Sequence, residues 1–234
     1  MNYEGRLFGM INKKVKTMEE ALNGLIDGMT IMISGFGDAG VPFNLINGVF
    51  EMGIKDLIII SNNAGRYDDG ISKLLKENRV RKIICSYPRS LKGSIIEKKY
   101  KEKAVELELV PQGTLAERIR CGGSGIGGFY TRTGLGTLLA QNKEIKVIDD
   151  IEYVFEAPLK ADFALVSALK ADRWGNLIYS KSARNFGPLM CMASNTTVVE
   201  VQDCVEIGEL EPENIITPGI FVDRVIEIEP ILIL

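Results

Sequence analysis

Three glycines, Gly35, Gly37 and Gly40, stand in a GxGxxG spacing within Thr30–Ile46. They follow an apolar run and precede a segment with helical spacing. Glycines at such a turn let backbone N–H groups face a ligand without interference from a Cβ atom, and the helix dipole favours negative charge there. The spacing therefore indicates a turn that binds a dinucleotide or another ligand, and a tight turn without a ligand is the structural alternative.

The next predicted strand tests the dinucleotide interpretation. A dinucleotide fold places an acidic residue at the end of that strand, about 20 residues further on, where it holds a ribose hydroxyl. Here the strand DLIIIS ends in Ser61, Asn62 and Asn63, with no carboxylate at that position. This mismatch argues against a nicotinamide oxidoreductase and leaves the ligand of the glycine turn open.

Amide side chains and further glycines stand at the ends of other predicted elements. Asn62 and Asn63 can donate hydrogen bonds to a carbonyl or an oxyanion, although asparagine is also an ordinary turn residue. Gln112 and Gly113 follow the fourth predicted strand, and a glycine-rich segment follows at Gly122–Gly128. Loops at the carboxyl ends of neighbouring parallel strands converge on one crevice. We therefore expect these three segments and the glycine turn to form one binding site.

The chemistry available at this site is limited, because the chain contains no histidine. A Ser-His-Asp triad, a histidine-ligated zinc ion and imidazole acid/base catalysis are excluded within this polypeptide. Cys121 lies beside the glycine-rich segment, but no histidine activates it, and a buried structural role is favoured. Glu117 is explained by a capping box with Thr114 at a helix start. We expect the crevice to bind and polarise a ligand without a nucleophile of its own.

The composition argues against several classes of partner. The net charge of -3, from 28 basic and 31 acidic residues, gives no field that would attract nucleic acid or an anionic membrane. The four cysteines are far apart and form no CxxC pair, so neither a disulfide framework nor a metal site is predicted. No apolar run approaches the ~20 residues that span a bilayer, and the first residues lack the order of a secretion signal. We expect a cytoplasmic protein that binds neither nucleic acid nor membrane.

Short apolar strands alternate with helical segments in the first half of the chain. The predicted strands are Thr30–Ser34, Leu57–Ser61, Lys82–Ser86 and Val105–Val110, and the predicted helices are Val41–Met52, Asp69–Asn78, Leu91–Lys101 and Thr114–Arg120. This alternation predicts an α/β fold with an open, mostly parallel twisted sheet flanked by helices. Shorter strands are predicted further on, at Lys146–Asp150, Glu152–Glu156, Phe163–Ser167, Asn176–Tyr179 and Thr197–Val201. They predict a smaller mixed subdomain in the C-terminal half, within a single domain of residues 1–234.

Several motifs, in the same order along the chain, resemble one enzyme family. Over roughly residues 15–228, the chain is similar to the alpha subunit of family I coenzyme A (CoA) transferases in DGMTIMISGFGDAGVP, SNNAG, VPQGTLAERIRCGGSGIGGFYTRTGLGT, SARNF and ITPG. The acetate or butyrate:acetoacetate CoA-transferase type resembles these motifs most, and the succinyl-CoA:3-ketoacid enzymes are also similar. The block from PQGTLAERIR through the glycines carries most of the specificity.

This resemblance implies a CoA-transferase fold and an enzyme made of two kinds of polypeptide, as a heterodimer or a heterotetramer. In that family a glutamate of the beta subunit, within a Ser-Glu-Asn-Gly motif, attacks the acyl-CoA thioester, and a second carboxylic acid then collects CoA in a ping-pong exchange. This chain lacks the motif, since Glu77-Asn78 and Glu213-Asn214 are neither preceded by serine nor followed by glycine. The resemblance therefore implies CoA or acyl-CoA as a substrate, no tightly bound cofactor or metal, and catalysis that needs the beta subunit.

The resemblance also assigns roles to the candidate site residues. The family's CoA-binding signature, usually GGFxxxG, corresponds to Ser34, Gly35, Phe36, Gly37, Asp38, Ala39 and Gly40. Asn62, Asn63 and Gln112, with the adjoining Gly113, match the family's acyl and carboxylate site, opposite the partner's glutamate. Preorganised amides at such a site stabilise negative charge that develops during attack, without proton transfer.

Departures from the family pattern leave the acid specificity open. Ser34 replaces the usual first glycine of the signature, and Arg66 and Arg89 stand in segments that differ from those of many relatives. A guanidinium at either position can recognise a carboxylate directly or lie on the surface. The residues leave open, as alternatives, a non-catalytic acyl-CoA or nucleotide binding module, a nicotinamide oxidoreductase, and a sugar-phosphate isomerase of related topology.

Overall fold

The computed structural model describes residues 11–65, 69–88 and 95–228, so Arg66 and Arg89 lie outside the described residues. The strands in these ranges are β1 (Lys14–Val15), β2 (Thr30–Ile33), β3 (Leu57–Ile60), β4 (Val80–Cys85), β5 (Glu106–Leu109), β6 (Phe129–Thr131), β7 (Ile145–Ile148), β8 (Ile151–Glu156), β9 (Ala161–Asp172), β10 (Leu177–Ile178), β11 (Ser194–Val205) and β12 (Arg224–Glu227). The α-helices are α1 (Met18–Leu22), α2 (Phe43–Glu51), α3 (Ile71–Lys76), α4 (Ile95–Lys101), α5 (Gln112–Gly123) and α6 (Gly187–Met192). No helix in the described ranges is long and apolar enough to cross a membrane.

The main sheet contains nine of the described strands, in the order β1-β12-β11-β9-β2-β3-β4-β5 with β10 paired to β9. Its described pairings are parallel, apart from the short antiparallel pairing of β10 with β9. From β2 the chain proceeds outward through β3, β4 and β5, whereas β9, β11 and β12 lie on the other side. The boundary between β2 and β9 is therefore the topological switch point, where open α/β sheets bind ligands outside the carboxyl ends of their strands.

Helices cover both faces of this sheet, because successive side chains of a strand point to opposite faces. Ile31 and Ile33 of β2 pack in one core with residues of α1 to α4. Met32, between them, packs in a second core with residues of α5 and α6. The near-continuous apolar runs of the first strands predicted this burial on two faces. The prediction of a mostly parallel sheet flanked by helices is confirmed.

The C-terminal half contains the smaller sheet, but it also contributes more to the main sheet than predicted. Strands β6, β8 and β7 form a separate antiparallel sheet in the described residues. Phe163–Ser167 and Thr197–Val201, predicted as short strands of the subdomain, lie within the 12-residue strands β9 and β11, which pair within the main sheet. Only the centre of β11 is continuously buried. Its polar ends hid its full length from the hydrophobic pattern.

Helix α5 begins earlier than predicted. Its first residue is Gln112 and its N-cap is Pro111, so Thr114 lies inside the helix, where it is buried. The predicted capping box of Thr114 with Glu117 is therefore wrong. Glu117 instead pairs with Arg120 on the same helix, at 2.6 Å. The proline fits this start because the N–H that it lacks would have had no partner within the helix.

Candidate functional site

The glycine turn leaves β2 at the switch point of the sheet and leads into α2. It runs from Ser34 to Gly40, and within it Phe36 and Ala39 exchange backbone hydrogen bonds of 3.0 and 3.2 Å. The small hairpin leaves Phe36 52% exposed. Gly37 lies at its tip, and its N–H has no acceptor among the described residues. The turn predicted to bind a ligand thus lies where the topology places a binding crevice.

Ser34 closes the base of this turn. Its hydroxyl donates to the carbonyl oxygen of Gly40 at 2.7 Å and accepts the backbone N–H of Ser167, in β9, at 3.2 Å. Its own backbone N–H donates to the carbonyl oxygen of Leu165 at 3.0 Å. The residue is 1% exposed. A serine is therefore accommodated at the strand exit in place of the family's usual glycine, and its hydroxyl joins the two ends of the turn to β9.

Asn185, to which sequence reasoning assigned no role, anchors the same turn from a distant segment. Its side-chain oxygen accepts the N–H of Gly35 at 2.9 Å, and its Nδ2 donates to the carbonyl oxygens of Ala39 at 3.2 Å and Ala183 at 2.6 Å. These segments approach so closely that a Cβ at Gly40 would lie 2.2 Å from the oxygen of Ala183. The SARNF motif contains Asn185, and that motif was the available signal for its importance.

The amides that follow β3 and β5 meet in space, as predicted. Gln112 Nε2 donates to Asn62 Oδ1 at 3.2 Å. Asn62 is 5% exposed, and its carbonyl oxygen accepts the N–H groups of Ser86 and Tyr87 at 3.1 and 3.0 Å, which fixes its backbone. Because Oδ1 accepts the bond from Gln112, the Nδ2 group of Asn62 is the donor that remains for a ligand.

Asn63 connects this pair of amides to the glycine turn. Its Nδ2 lies 3.4 Å from the carbonyl oxygen of Gly37, and its Oδ1 accepts the N–H of Gly65 at 3.0 Å. Both polar atoms of the side chain are therefore engaged within the protein. Asn63 therefore holds two loops together, and because its amide nitrogen carries a second N–H, it keeps a donor for a ligand, as Asn62 does.

The start of helix α5 lies beside the same amides, because Gln112 is its first residue. Pro111, the N-cap residue, makes no side-chain hydrogen bond, and no described side chain accepts the N–H of Gly113 in the first turn. Gly113 is exposed, and a Cβ at that position would meet no described atom within 4 Å. An anionic group of a ligand at this point would be stabilised by the N–H groups and the helix dipole.

The fourth predicted segment, Gly122–Gly128, does not join this site. Helix α5 continues from Gln112 to Gly123, and 12 helical residues extend about 18 Å. The glycines therefore lie at the other end of the helix. A Cβ at Gly122 would lie 1.9 Å from the carbonyl oxygen of Leu159, so that glycine permits close packing. The prediction that all four segments converge is wrong for this one.

The described cysteines are unsuited to nucleophilic attack. All four are free thiols, and Cys85, Cys121 and Cys191 are buried. Burial raises the pKa of Cys85, which ends β4, to about 12. Desolvation, followed by the charge of Glu117, raises the pKa of Cys121 as well. Since the thiolate is the nucleophilic form, these shifts keep the thiols unreactive.

A buried carboxylate lies at the other end of the glycine turn. Glu200, in β11, is 4% exposed, and its Oε2 accepts the backbone N–H of Leu45 in the first turn of α2 at 2.9 Å. Desolvation raises the pKa of Glu200 to about 7, although hydrogen bonds from Leu45 and Asn44 oppose the shift. No local pattern in the sequence indicated this contact, because 155 residues separate the two partners.

Several known proteins are similar to this chain in sequence or in fold. The coenzyme A transferase family profile matches residues 15–228. The chain is 54% identical to the A subunit of 3-oxoadipate CoA-transferase from Acinetobacter baylyi, over 94% of this chain and 96% of that protein. It is 42% identical to the alpha subunit of acetate CoA-transferase from Escherichia coli, over 91% of this chain and 96% of that protein. The solved glutaconate CoA-transferase of Acidaminococcus fermentans has a similar fold, with a TM-score of 0.81 at 17% identity, over 93% of this chain and 76% of that chain.

Proposed function

This chain belongs to the coenzyme A transferase family, and we propose that it is the alpha subunit of an enzyme that moves CoA between an acyl-CoA and a short-chain carboxylic acid. The observation that carries the proposal is a pair of amide side chains, Asn62 and Gln112, beside the glycine turn, in a chain whose relatives are named as A or alpha subunits. The binding-module and oxidoreductase alternatives are not favoured, since the relatives are CoA-transferases.

The proposed reaction divides the chemistry between two chains. A glutamate that the beta subunit supplies attacks the thioester carbonyl, and CoA leaves as a thiolate while an acyl-glutamyl anhydride forms. The CoA thiolate then attacks the glutamyl carbonyl of the anhydride, which releases the first acid as its carboxylate and leaves a glutamyl-CoA thioester. A second carboxylate attacks that thioester and displaces the CoA thiolate, which then attacks the acyl carbonyl of the new anhydride to form the product acyl-CoA and release the glutamate. This division explains why the described residues supply hydrogen-bond donors but no activated nucleophile. The working enzyme is a heterodimer or a heterotetramer, and this chain forms one domain of it.

Within this chain, the glycine turn Ser34–Gly40 is proposed to bind CoA, with the N–H of Gly37, which has no acceptor among the described residues, as one donor. Asn62 Nδ2, held in place by Gln112, is proposed to donate to the carbonyl oxygen as negative charge develops on it. Gly113, at the start of α5, offers a backbone N–H to the carboxylate of the acid substrate. CoA is a substrate in this scheme, and we propose that no cofactor or metal is tightly bound.

The similarities also guide the choice of acids to test. The chain is more similar to the 3-oxoadipate relative, at 54% identity, than to the acetate relative, at 42%. A 3-oxo acid with a second carboxylate is therefore a candidate acceptor, beside acetate, butyrate and acetoacetate. We place the enzyme in the cytoplasm, in keeping with the four free thiols.

Reconstitution tests the proposal directly. The chain is purified alone, the cognate beta subunit is purified separately, and each is assayed with acetoacetyl-CoA or succinyl-CoA against a panel of acids. We expect exchange only after mixing, and borohydride trapping followed by peptide mapping should locate the modified glutamate on the beta subunit. Turnover by this chain alone, or label recovered in its peptides, would refute the division of labour.

The substitution Asn62→Asp tests the amide donor. The carboxylate keeps the shape and can still accept from Gln112, but it cannot donate to the thioester oxygen. We expect kcat to fall by about 10²–10³-fold, the usual loss when one oxyanion donor is removed. Asn195→Asp, at an exposed position of β11, is the matched control and should leave kcat unchanged. Equal kcat values for the two variants would contradict the role of Asn62.

A further inference from the structure

Helix α2 begins without a capping side chain of its own. Its N-cap residue is Pro42, which makes no side-chain hydrogen bond to the first turn. The carboxylate of Glu200 takes over this function from the middle of the sheet, since it accepts the N–H of Leu45 at 2.9 Å, and the nearby N–H groups of Asn44 also act to lower its pKa. A carboxylate at a helix N-terminus satisfies orphan donors and interacts favourably with the helix dipole.

This contact gives the glycine turn a second fixed end. At its first end, the hydroxyl of Ser34 binds the N–H of Ser167 in β9. At its second end, Glu200 in β11 holds the start of α2. Ser167 and Glu200 are directly paired positions of neighbouring strands. Both ends of the turn are therefore held by hydrogen bonds to neighbouring, paired positions of the main sheet.

We propose that Glu200 is a positioning residue of the CoA-transfer reaction, whose carboxylate fixes the start of α2 and thereby holds the glycine turn in the conformation that binds acyl-CoA. The inference rests on the proposed role of the turn as the CoA-binding element. Glu200 itself lies behind the turn and acts through Asn44 and Leu45.

The surroundings of Glu200 make its protonation state important. It lines an open cavity of about 180 Å³ beside the turn. The cavity is lined by Asp38 of the turn, Asn44 of α2, Ser167 of β9, Gln202 of β11 and Ile228 of the segment after β12, among others. No basic side chain of the described residues lines this cavity. A carboxylate can accept from Leu45 and from the neighbouring Asn44 at the same time. The protonated acid has less acceptor capacity, and its own O–H group needs an acceptor.

Kinetics of the reconstituted enzyme provide the first test. Wild type is compared with Glu200→Gln, and with Glu51→Gln at the exposed opposite end of the same helix. We expect KM for acyl-CoA to fall as the pH rises through about 7 in wild type and in Glu51→Gln. In Glu200→Gln, KM should be about tenfold higher at pH 8, as for loss of a helix cap, and independent of pH, with kcat changed less. A wild-type KM that does not vary between pH 6 and 8.5, or a Glu200→Gln profile like that of wild type, overturns the proposal.

Amide hydrogen exchange of the chain alone provides a readout that does not need the partner. At pH 8, a peptide containing the start of α2 should exchange about tenfold faster in Glu200→Gln than in wild type, while a peptide from α6 is unchanged. Unchanged exchange at the start of α2 overturns the proposal. If the wild-type reconstituted enzyme shows no CoA transfer, the proposed function is refuted instead. The hydrogen-exchange result would still stand, because it does not depend on activity.

Discussion

The substitution Gly40→Ala tests whether the close approach of two segments shapes the glycine turn. Gly40 has φ +73°, and an added Cβ would lie 2.2 Å from the carbonyl oxygen of Ala183 and 2.4 Å from Nδ2 of Asn185. Neither atom can yield easily, because one is backbone and the other donates to the carbonyl oxygen of Ala39. An alanine at this position must therefore push the turn away from the segment that anchors it.

The magnitude follows from two separate contributions. The left-handed conformation costs an L-residue about 1–2 kcal/mol. Forced overpacking adds about 1–3 kcal/mol, so the expected loss for Gly40→Ala is about 2–5 kcal/mol. Gly37→Ala is the matched control, since Gly37 has φ +62° and no described atom lies within 4 Å of the added Cβ. This control should lose only the conformational part, about 1–2 kcal/mol.

Urea denaturation of the isolated chain measures both free energies of unfolding. The difference between the two variants, about 1–3 kcal/mol, isolates the contact with Ala183 and Asn185. In the reconstituted enzyme, Gly40→Ala should also raise KM for acyl-CoA, because the turn is displaced. Equal losses of stability for Gly40→Ala and Gly37→Ala would refute the reasoning, since the close approach would then contribute nothing.

Three further predictions concern polar side chains that make hydrogen bonds within the protein. Arg118→Met should lower the free energy of unfolding by about 1–3 kcal/mol in urea denaturation, because Glu108 loses its hydrogen bond from Arg118, while the buried Glu156 keeps Lys143 as a partner. Arg120→Met, in an exposed pair, should lose under about 1 kcal/mol. Asn185→Asp should lose about 2–4 kcal/mol by the same measurement, since a carboxylate cannot donate its two bonds to carbonyl oxygens, and wild-type stability would contradict this. The folded-state pKa of Glu200, about 7, exceeds the unfolded value. The contribution of Glu200 to the free energy of unfolding is therefore fully present below about pH 4 and is lost as the pH rises through 7. The stability of wild type relative to Glu200→Gln should therefore fall by about 3–4 kcal/mol between pH 4 and pH 8, and a constant difference would contradict the burial argument.

The features that the sequence predicted correctly depend on local patterns. The apolar runs around Ile31 and Ile59 predicted strands covered on both faces, because period and composition are properties of a few adjacent residues. The prediction that Asn62 and Gln112 meet required one more step, the rule that carboxyl ends of parallel strands share an edge. The structural role of each glycine could not be predicted from the sequence. Gly40 shapes the candidate site, whereas Gly122 only permits helix packing, and the difference lies in the neighbours that each one meets.

The features that were missed depend on contacts between distant segments. Asn185 binds the turn across 150 residues, and Glu200 caps α2 across 155 residues, so no window of the sequence contains both partners. The same reason explains β11, whose polar ends are ordered by pairing with β9 and not by burial. Sequence patterns thus predicted the elements and the crevice, while the supports behind the crevice became visible only when the chain was folded.

Because Glu200 is buried, its ionisation should have opposite effects on the stability of the fold and on the order of the glycine turn. Ionisation of this carboxyl lowers the free energy of unfolding, because desolvation outweighs the hydrogen bonds that it accepts. The ionised form is nevertheless the one that can serve all the donors at the start of α2. A neutral substitute should therefore stabilise the fold at pH 8 and loosen the glycine turn at the same time. Opposite changes in unfolding free energy and in acyl-CoA affinity, in one variant, would distinguish a positioning residue from one that merely contributes to the core, since loss of a core contact lowers both together.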